Sequence, residues 1–111
     1  MKQLRHPKAD EITLAGVLAA LSDPVRLGIV RTLEGAQGEH PWGDLDVGLA
    51  ASTLSHHLKI LRQAGLIRHR KHGTRCYVAL NPDFDRVFPG LLACVLRLAD
   101  VQTSAPPVDT P

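Results

Sequence analysis

The side chains best suited to chemistry cluster in the segment LSHHLKILRQAGLIRHRKHGTRCY, residues 54–77. Residues 49–80, which contain it, hold six Lys or Arg and four His but no Asp or Glu. The rest of the chain has seven Lys or Arg against all eleven acids, although the whole chain carries a formal net charge of only +2. Solvated surfaces usually mix both signs. The asymmetry therefore favours a surface that binds a polyanion over an ordinary solvated face.

The four histidines of this segment do not have the spacing of a metal site. His56 and His57 are adjacent, so a helix would point them about 100° apart, and they cannot readily chelate one ion together. His69 and His72 flank a predicted turn, and Cys76 is the only further ligand type near it. We therefore expect neither a metal nor another cofactor.

No motif of an enzyme is present in the sequence. It lacks a nucleophile elbow, a phosphate-cradling glycine loop and paired carboxylates in a plausible cleft. Asp44 and Asp46 are acids of a short loop without a basic partner. The sequence predicts a binding protein rather than a catalyst.

Two cysteines, Cys76 and Cys94, are too few and too scattered for a secreted disulfide scaffold. Free cysteine usually packs as a small apolar group, which is the simplest interpretation of both. The alternative is a thiol switch, in which oxidation of Cys94 at a subunit interface, or of Cys76 beside Arg75, weakens binding. The reason for this alternative is that a neighbouring cation, such as Arg75 beside Cys76, favours the thiolate form of cysteine. Equal binding by the reduced and the peroxide-treated protein would exclude the switch.

Two predicted helices precede this chemistry. Residues 10–21 are apolar nearly all round, which indicates a helix buried on more than one side. Asp23 is suited to cap, and Pro24 to begin, a second helix in which apolar residues recur as far as Leu33. We expect this helix to end at Gly35.

A third helix carries part of the basic segment. Residues 35–42 predict a loop and residues 43–50 a short helix or turn. Residues 51–64 form the next predicted helix, closed by Gly65 as a C-terminal cap. On a wheel of about 100° per residue, this helix has an apolar inner stripe and a polar, basic outer stripe. The inner stripe contains Ala51, Leu54, Leu58 and Leu61, and the outer stripe contains Ser52, His56, Lys59 and Gln63.

A β-hairpin is predicted next. Residues 66–80 form two predicted strands around a turn with Gly73 at its tip. Alternation makes Ile67, Val78 and Leu80 the inward candidates and turns the arginines outward. The hairpin would place its basic side chains beside the polar face of the preceding helix.

The last predicted helix spans residues 83–99, and Pro89 inside it predicts a kink or a helix in two parts. Composition then divides the chain into a flexible N-terminal arm at 1–9, one domain at 10–99 and a disordered C-terminal tail at 100–111. A chain of 111 residues is long enough for a single core.

This order of elements predicts a mainly α fold with a small β-hairpin, the winged helix-turn-helix. An α-helix fits the major groove of B-DNA, and a basic hairpin beside it can contact the flanking backbone. Ser52 could instead only cap its helix, and His57 is expected to be a half-buried structural residue. The expected base-edge or phosphate contacts on the helix are Ser52, Thr53, Ser55 and His56, and the expected phosphate contacts are Lys59 and Arg62 on the helix and Arg70, Lys71 and Arg75 on the hairpin.

Three strings resemble the ArsR-type (ArsR/SmtB) bacterial transcriptional repressors: ALSDPVRLGIVRTL, STLSHHLKILRQAGLI and RKHGTRCYVAL. The resemblance covers roughly residues 18–96, and the middle string is the most specific. It implies a homodimer whose first and last helices form the interface, and an operator of inverted-repeat character. It also implies an effector, of unknown kind, whose binding weakens the DNA complex.

Both metal-site motifs familiar from that family are missing from this sequence. The place of the Cys-containing motif before the recognition helix reads WGDLDVGLA, without Cys or His. Residues 83–99, where another family site uses His on the last helix, contain no His. The resemblance is therefore to a branch that lacks these motifs, which argues against a metal sensor.

Double-stranded DNA is the expected partner. The alternative is a protein-interaction module that keeps the winged-helix shape, but the acid-free segment argues against it because protein interfaces usually mix signs. The start MKQLRHPKADEITL has no apolar h-region, and no apolar run reaches the roughly 18 residues of a membrane span. We expect a cytoplasmic protein without a membrane partner.

Overall fold

The computed structural model describes residues 4–36, 38–42 and 48–104. It confirms the predicted fold class, mainly helical with a small antiparallel sheet in the order of a winged helix-turn-helix. The helices are α1 (Leu14–Leu21), α2 (Pro24–Ala36), α3 (Ala51–Gln63), α4 (Phe84–Val87) and α5 (Leu91–Ser104), and the strands are β1 (His40–Pro41), β2 (Ile67–His72) and β3 (Arg75–Leu80).

Thr13 shortens the first predicted helix. The sequence predicted one helix over 10–21, but the structure has a 3-10 turn at Ala9–Glu11, and α1 begins only at Leu14. Thr13 is extended, with φ −110° and ψ 147°, and its Oγ1 accepts a hydrogen bond from the Gly16 amide at 3.0 Å. The predicted start was wrong because a threonine that caps a helix takes a non-helical backbone conformation itself.

Asp23 caps the second helix, as predicted. Its Oδ1 accepts hydrogen bonds from the amides of Val25 at 2.8 Å and Arg26 at 3.1 Å. These bonds, the one from Arg26 most of all, hold the pKa of Asp23 below its ordinary value. α2 then continues to Ala36, one residue beyond the predicted end at Gly35, since one glycine costs a helix only about 1 kcal/mol.

Gly65 ends α3 in a Schellman turn, as predicted. The Gly65 amide donates to the Arg62 carbonyl and the Leu66 amide to the Leu61 carbonyl, both at 3.0 Å. Gly65 has φ +86°, and a Cβ at this position would lie 2.5 Å from Cδ1 of Ile12. Glycine is therefore required by the backbone conformation and by the packing.

The predicted hairpin is present, and β2 continues two residues closer to the turn than the sequence predicted. β2 and β3 pair antiparallel as far as His72 and Arg75, which leaves Gly73 and Thr74 as a two-residue turn. Gly73 has φ +62°, a conformation that tight hairpin turns require. We call residues 67–80, the hairpin of β2 and β3, the wing.

A third strand lies inside the segment predicted as a loop. β1 pairs antiparallel with β3, with His40 opposite Val78 and Pro41 opposite Tyr77, so the strand order is β1-β3-β2. A strand of two residues that contains a proline has no alternating pattern. The sequence therefore has no signal from which it could be predicted.

Pro89 divides the last predicted helix in two, as expected. α4 ends at Val87 and α5 begins at Leu91. α5 continues to Ser104 rather than ending at residue 99. Proline lacks the amide hydrogen that a continuous helix would need at this point.

The proposed boundaries of arm, domain and tail stay predictions. Residues 43–47 of the predicted short helix or turn, 105–111 of the tail and 1–3 of the arm lie outside the described residues. Within the arm, Nε2 of His6 accepts a hydrogen bond from the His69 amide at 2.9 Å. The chain before α1 therefore contacts the sheet.

One hydrophobic core joins the first three helices to the sheet. Ile67 and Val78 point into it as predicted, and Leu80 lies half-buried at its edge. In the described part of the chain no helix is long and apolar enough to cross a membrane. The largest fully buried side chains are Val17, Ile29, Val30, Leu33, Leu58, Leu61, Leu66, Ile67 and Val78.

Candidate nucleic-acid interface

The outer face of α3 is polar, exposed and free of acidic residues. The apolar stripe read from the sequence is confirmed for Leu54, Leu58 and Leu61, which are buried beneath the helix, whereas Ala51 in its first turn is exposed. The opposite side presents a row of hydroxyl, imidazole and amine groups. Its exposed members are Ser52, Thr53, Ser55, His56 and Lys59.

Ser52 is not the N-cap of α3. Ala50 is in the N-cap position, and no side-chain hydrogen bond caps the helix there. Ser52 and Thr53 instead lie in the first turn and are exposed. The unpaired amides of a first turn favour anions, so this end of α3 is suited to a phosphate group.

His57 is half-buried, as the sequence predicted, and joins two helices. Nη1 of Arg26 donates a hydrogen bond to Nδ1 of His57 at 3.2 Å, and Nε of Arg26 donates to the Ala20 carbonyl at 2.6 Å. His57 thus holds α3 against α2 and the end of α1. Its role in the described structure is positional.

Arg62 and Lys59 differ in exposure although both were expected to contact phosphate. Lys59 is exposed, whereas Arg62 is half-buried, and its Nε is buried without a hydrogen-bond partner in the residues described. After burial itself, the charge of Arg62 is the largest cause that lowers the pKa of His6 and His69. The guanidinium therefore lies on the side of α3 that faces β2.

The cations of the wing lie on both faces of the ribbon. Alternation along β2 places Arg68, Arg70 and His72 on the outer face, whereas Ile67, His69 and Lys71 are on the face toward the core. The register places Arg75 and Tyr77 on the outer face as well. The wing is thus basic on both sides, with all three of its arginines on the outer face and Lys71 on the other.

Two outer arginines are paired with acids from outside the basic segment. Arg70 donates from Nε and Nη2 to the two carboxylate oxygens of Glu39, both at 2.8 Å. Arg68 contacts Asp83 at 3.3 Å. The acid-free segment folds against neighbours that supply carboxylates.

The ion pair between Glu39 and Arg70 also shifts the pKa values of both side chains. The hydrogen bond from Arg70 holds the pKa of Glu39 below its ordinary value, and the bond to Glu39 raises the pKa of Arg70. The Arg70 guanidinium also lies over the ring of Tyr77, 4.9 Å from its centroid. Arg70 is thus held in one orientation by two neighbours.

Lys71 and Arg75 are the less engaged cations of the wing. Both are exposed, and neither forms a salt bridge with any residue that the structure describes. Arg75 begins β3 beside the turn, and Lys71 is near the end of β2. Their charges are available to an external anion.

Sequence reasoning missed the burial of His69. It is 7% exposed, neither ring nitrogen has a hydrogen-bond partner in the described ranges, and the Trp42 ring lies 6.0 Å away between centroids. Burial, followed by the charge of Arg62, lowers the pKa of His69 to about 4, so the imidazole is neutral at pH 7. The available signal was alternation, because the residue two places after the buried Ile67 faces the same side.

Known proteins share this arrangement. A helix-turn-helix domain model matches residues 21–70. The uncharacterised HTH-type transcriptional regulator YceK of Bacillus subtilis is 38% identical over 88 residues, which cover 77% of this chain and 88% of YceK. The homodimeric winged helix-turn-helix DNA-binding domain Mb0332 of Mycobacterium bovis, a possible ArsR-family transcriptional regulator, is 33% identical, with a TM-score of 0.64 over 81% of each chain. This chain belongs to the ArsR family of transcriptional regulators.

A second solved structure also matches this chain. The transcriptional repressor BigR of Xylella fastidiosa is 28% identical, with a TM-score of 0.62 over 84% of this chain and 87% of BigR. Each of the two solved structures matches more than four fifths of this chain.

The next feature is the spacing of the side chains that could bind a metal ion. Across the described ranges, no three His, Cys, Asp or Glu side chains come together in a way that could hold a metal ion. The rings of His56 and His57 lie 6.0 Å apart between centroids and are tilted by 57°.

The two cysteines differ in environment. Cys76 is half-buried on β3, whereas Cys94 is exposed on α5, where its Sγ lies 3.9 Å from Nη2 of Arg97. Packing as a small apolar group thus describes Cys76 better than Cys94. The thiol-switch hypothesis stays a prediction.

Proposed function

We propose that this ArsR-family chain is a homodimeric repressor that binds double-stranded DNA in a sequence-specific manner. The observation that carries the proposal is the exposed, acid-free outer face of α3 beside a basic wing. A helix of this kind fits the major groove, whereas an acidic side chain on it would oppose the phosphates.

Base reading is assigned to the first half of α3. Ser52, Thr53, Ser55 and His56 are exposed on consecutive turns and can donate to or accept from base edges or phosphates. Recognition helices of this fold contact bases mainly through their N-terminal residues. Changes at Ser55 or His56 should therefore alter the preferred bases.

Backbone contacts are assigned foremost to Lys59, Lys71 and Arg75. These three are exposed and make no ion pair within the described residues. Arg62 and Arg70 remain candidates for phosphate contacts. The guanidinium of Arg62 is half-buried and that of Arg70 is already paired with Glu39, so each would bind a phosphate less favourably than an exposed, unpaired cation. Each phosphate that is neutralised adds to the salt dependence of binding.

Dimerisation through the first and last helices is supported by apolar side chains that the single chain leaves in solvent. Leu14 and Leu18 on α1 are each 48% exposed, and Leu98 and Val101 on α5 are 58% and 61% exposed. Exposed apolar patches of this kind mark interaction sites. A two-fold dimer would read an inverted repeat whose half-sites are about one helical turn, or roughly 10 bp, apart. Release by an effector stays an expectation.

The test is fluorescence anisotropy with duplex DNA from the region upstream of the gene and from its neighbouring operon, against a scrambled duplex of the same composition. We expect tighter binding to one upstream segment, and a changed base preference for Ser55→Ala. Equal, weak binding to every duplex would instead favour the protein-interaction module.

A further inference from the structure

Glu39 holds Arg70 with the two-point geometry that a backbone phosphate would use. Nε and Nη2 of Arg70 donate to separate carboxylate oxygens, each at 2.8 Å. The two side chains are 47% and 45% exposed, so the pair lies at the surface, where an external anion can reach it. Arginine binds carboxylate and phosphate through the same planar fork of N–H donors.

The pairing of β1 with β3 fixes the position of Glu39 beside Arg70. Glu39 directly precedes β1, and β1 is hydrogen-bonded to β3 with His40 opposite Val78. Arg70 lies on the far side of β3, opposite Tyr77. The carboxylate therefore reaches across the outer face of the central strand to a residue 31 positions later in the chain.

A phosphate and Glu39 cannot share Arg70 without cost. The Nε–Nη2 edge of the guanidinium is occupied by the carboxylate. A phosphate that displaces Glu39 leaves an unpaired carboxylate beside the DNA. A phosphate that binds the remaining N–H groups lies close to that same negative charge. In either arrangement Glu39 opposes the polyanion.

We propose that Glu39 acts as an internal phosphate mimic, which competes with the DNA backbone for Arg70 and so lowers the affinity of the wing for DNA. The inference rests on the proposed function. It assigns to Glu39 a role in setting how tightly, and with what salt dependence, this chain binds duplex DNA.

The variants are Glu39→Gln, Glu39→Gln with Arg70→Ala, and Glu34→Gln as the matched control. Glu34 lines the same surface depression as Glu39 and is exposed, and among described residues it has no ion pair. Glu34→Gln therefore removes an equal charge nearby without releasing Arg70. Binding to the upstream duplex is measured by anisotropy over a series of salt concentrations.

We expect Glu39→Gln to bind about three- to tenfold more tightly at low salt. The slope of log K against log salt should steepen by about one, as for one more neutralised phosphate. Glu34→Gln should change the affinity less than about twofold, and the gain of Glu39→Gln should vanish when Arg70 is Ala. The Arg70 Nε–Hε NMR signal should shift on addition of duplex in Glu39→Gln.

Any one of five results would overturn the inference. Equal gains from the two Gln variants would indicate general electrostatics, and a gain that survives Arg70→Ala would exclude Arg70 as the competed site. Weaker binding by Glu39→Gln, with an unchanged unfolding midpoint, would give Glu39 a supporting role instead. A wild-type chain that binds no duplex at all would overturn the proposed function and the inference with it. A wild type that binds while Glu39→Gln gains nothing overturns the inference alone.

Discussion

At the scale of single residues, the interface combines free side chains with ones that are already committed. Lys71 and Arg75 are exposed and lack an ion pair within the described structure, whereas Arg70 is held by Glu39. Arg62 is partly withdrawn toward the sheet. Residue type alone therefore does not predict how much each cation contributes to phosphate binding, because that contribution depends on what the side chain already contacts.

Arg75→Ala tests that ranking. We expect it to weaken binding by a similar factor on the operator and on a scrambled duplex, because a phosphate contact carries no sequence information. The slope of log K against log salt should become shallower by about 0.9. Arg86→Ala is the control, since this arginine on α4 is 78% exposed and pairs with Asp83. An unchanged slope for Arg75→Ala, measured by anisotropy, would remove Arg75 from the interface.

His69 makes stability depend on pH. The ordinary pKa of 6.5 applies to the unfolded chain, whereas burial lowers the folded value to about 4. The unfolded state therefore binds the proton first, so stability is retained above pH 6.5 and lost as the pH falls toward 4. Between about pH 7.5 and about pH 5, His69 should account for a loss of about 2 kcal/mol in the free energy of unfolding.

His69→Leu should remove that part of the loss. It should also not destabilise the protein at pH 7.5, because the two unpartnered ring nitrogens disappear from the interior. Urea unfolding at the two pH values measures both effects. His72→Leu, at the exposed tip of the wing, is the matched control and should leave the pH dependence unchanged. Equal pH dependence of wild type and His69→Leu would refute the assignment.

At the scale of elements, the turn at Gly65 fixes the angle between α3 and the wing. Gly65→Ala places a Cβ 2.5 Å from Ile12 in a left-handed backbone conformation. We expect a loss of about 2 kcal/mol in the free energy of unfolding. Gly35→Ala, within α2 where nothing lies within 4 Å, should instead stabilise the protein by about 0.5–1 kcal/mol. Chemical denaturation of the two variants should thus give opposite signs. A loss for both would indicate that Gly65 is not special.

The sequence predicts those elements whose signals are local. The apolar stripe of α3, the caps at Asp23 and Gly65, and the break at Pro89 each depend on residues within one or two turns. The break at Thr13 was missed because an apolar helical pattern continues through it. Local capping by one hydroxyl outweighed that pattern.

Elements and contacts that depend on distant pairing could not be predicted. β1 exists only because β3 offers it an edge, and the Glu39–Arg70 pair exists only because β1 is there. Residues 31 positions apart carry no joint pattern in one sequence. The candidate contacts on α3 were therefore placed well by periodicity, whereas the state of the wing arginines was not.

At the scale of the whole molecule, the proposed dimer would cover the exposed apolar side chains of α1 and α5. Leu98→Glu should raise the dissociation constant of the proposed dimer by about 100-fold, or about 3 kcal/mol, because a carboxylate would be buried unpaired in the interface. Sedimentation velocity measures the shift to monomer. Gln63→Glu adds the same charge on α3 and should leave the dimer intact. A Leu98→Glu protein that stays dimeric would exclude α5 from the interface.

The hydrogen bonds of Arg26 have a mechanical consequence for such a dimer. One guanidinium fastens the last turn of α1, through the Ala20 carbonyl, to the middle of α3, through His57. We therefore expect α1, α2 and α3 to move as one rigid unit in the proposed dimer. In a pair of subunits joined along α1, a small rotation at the dimer contact would then move both recognition helices. The packing of the two copies against each other would thus set the distance between the two DNA half-sites that they can contact.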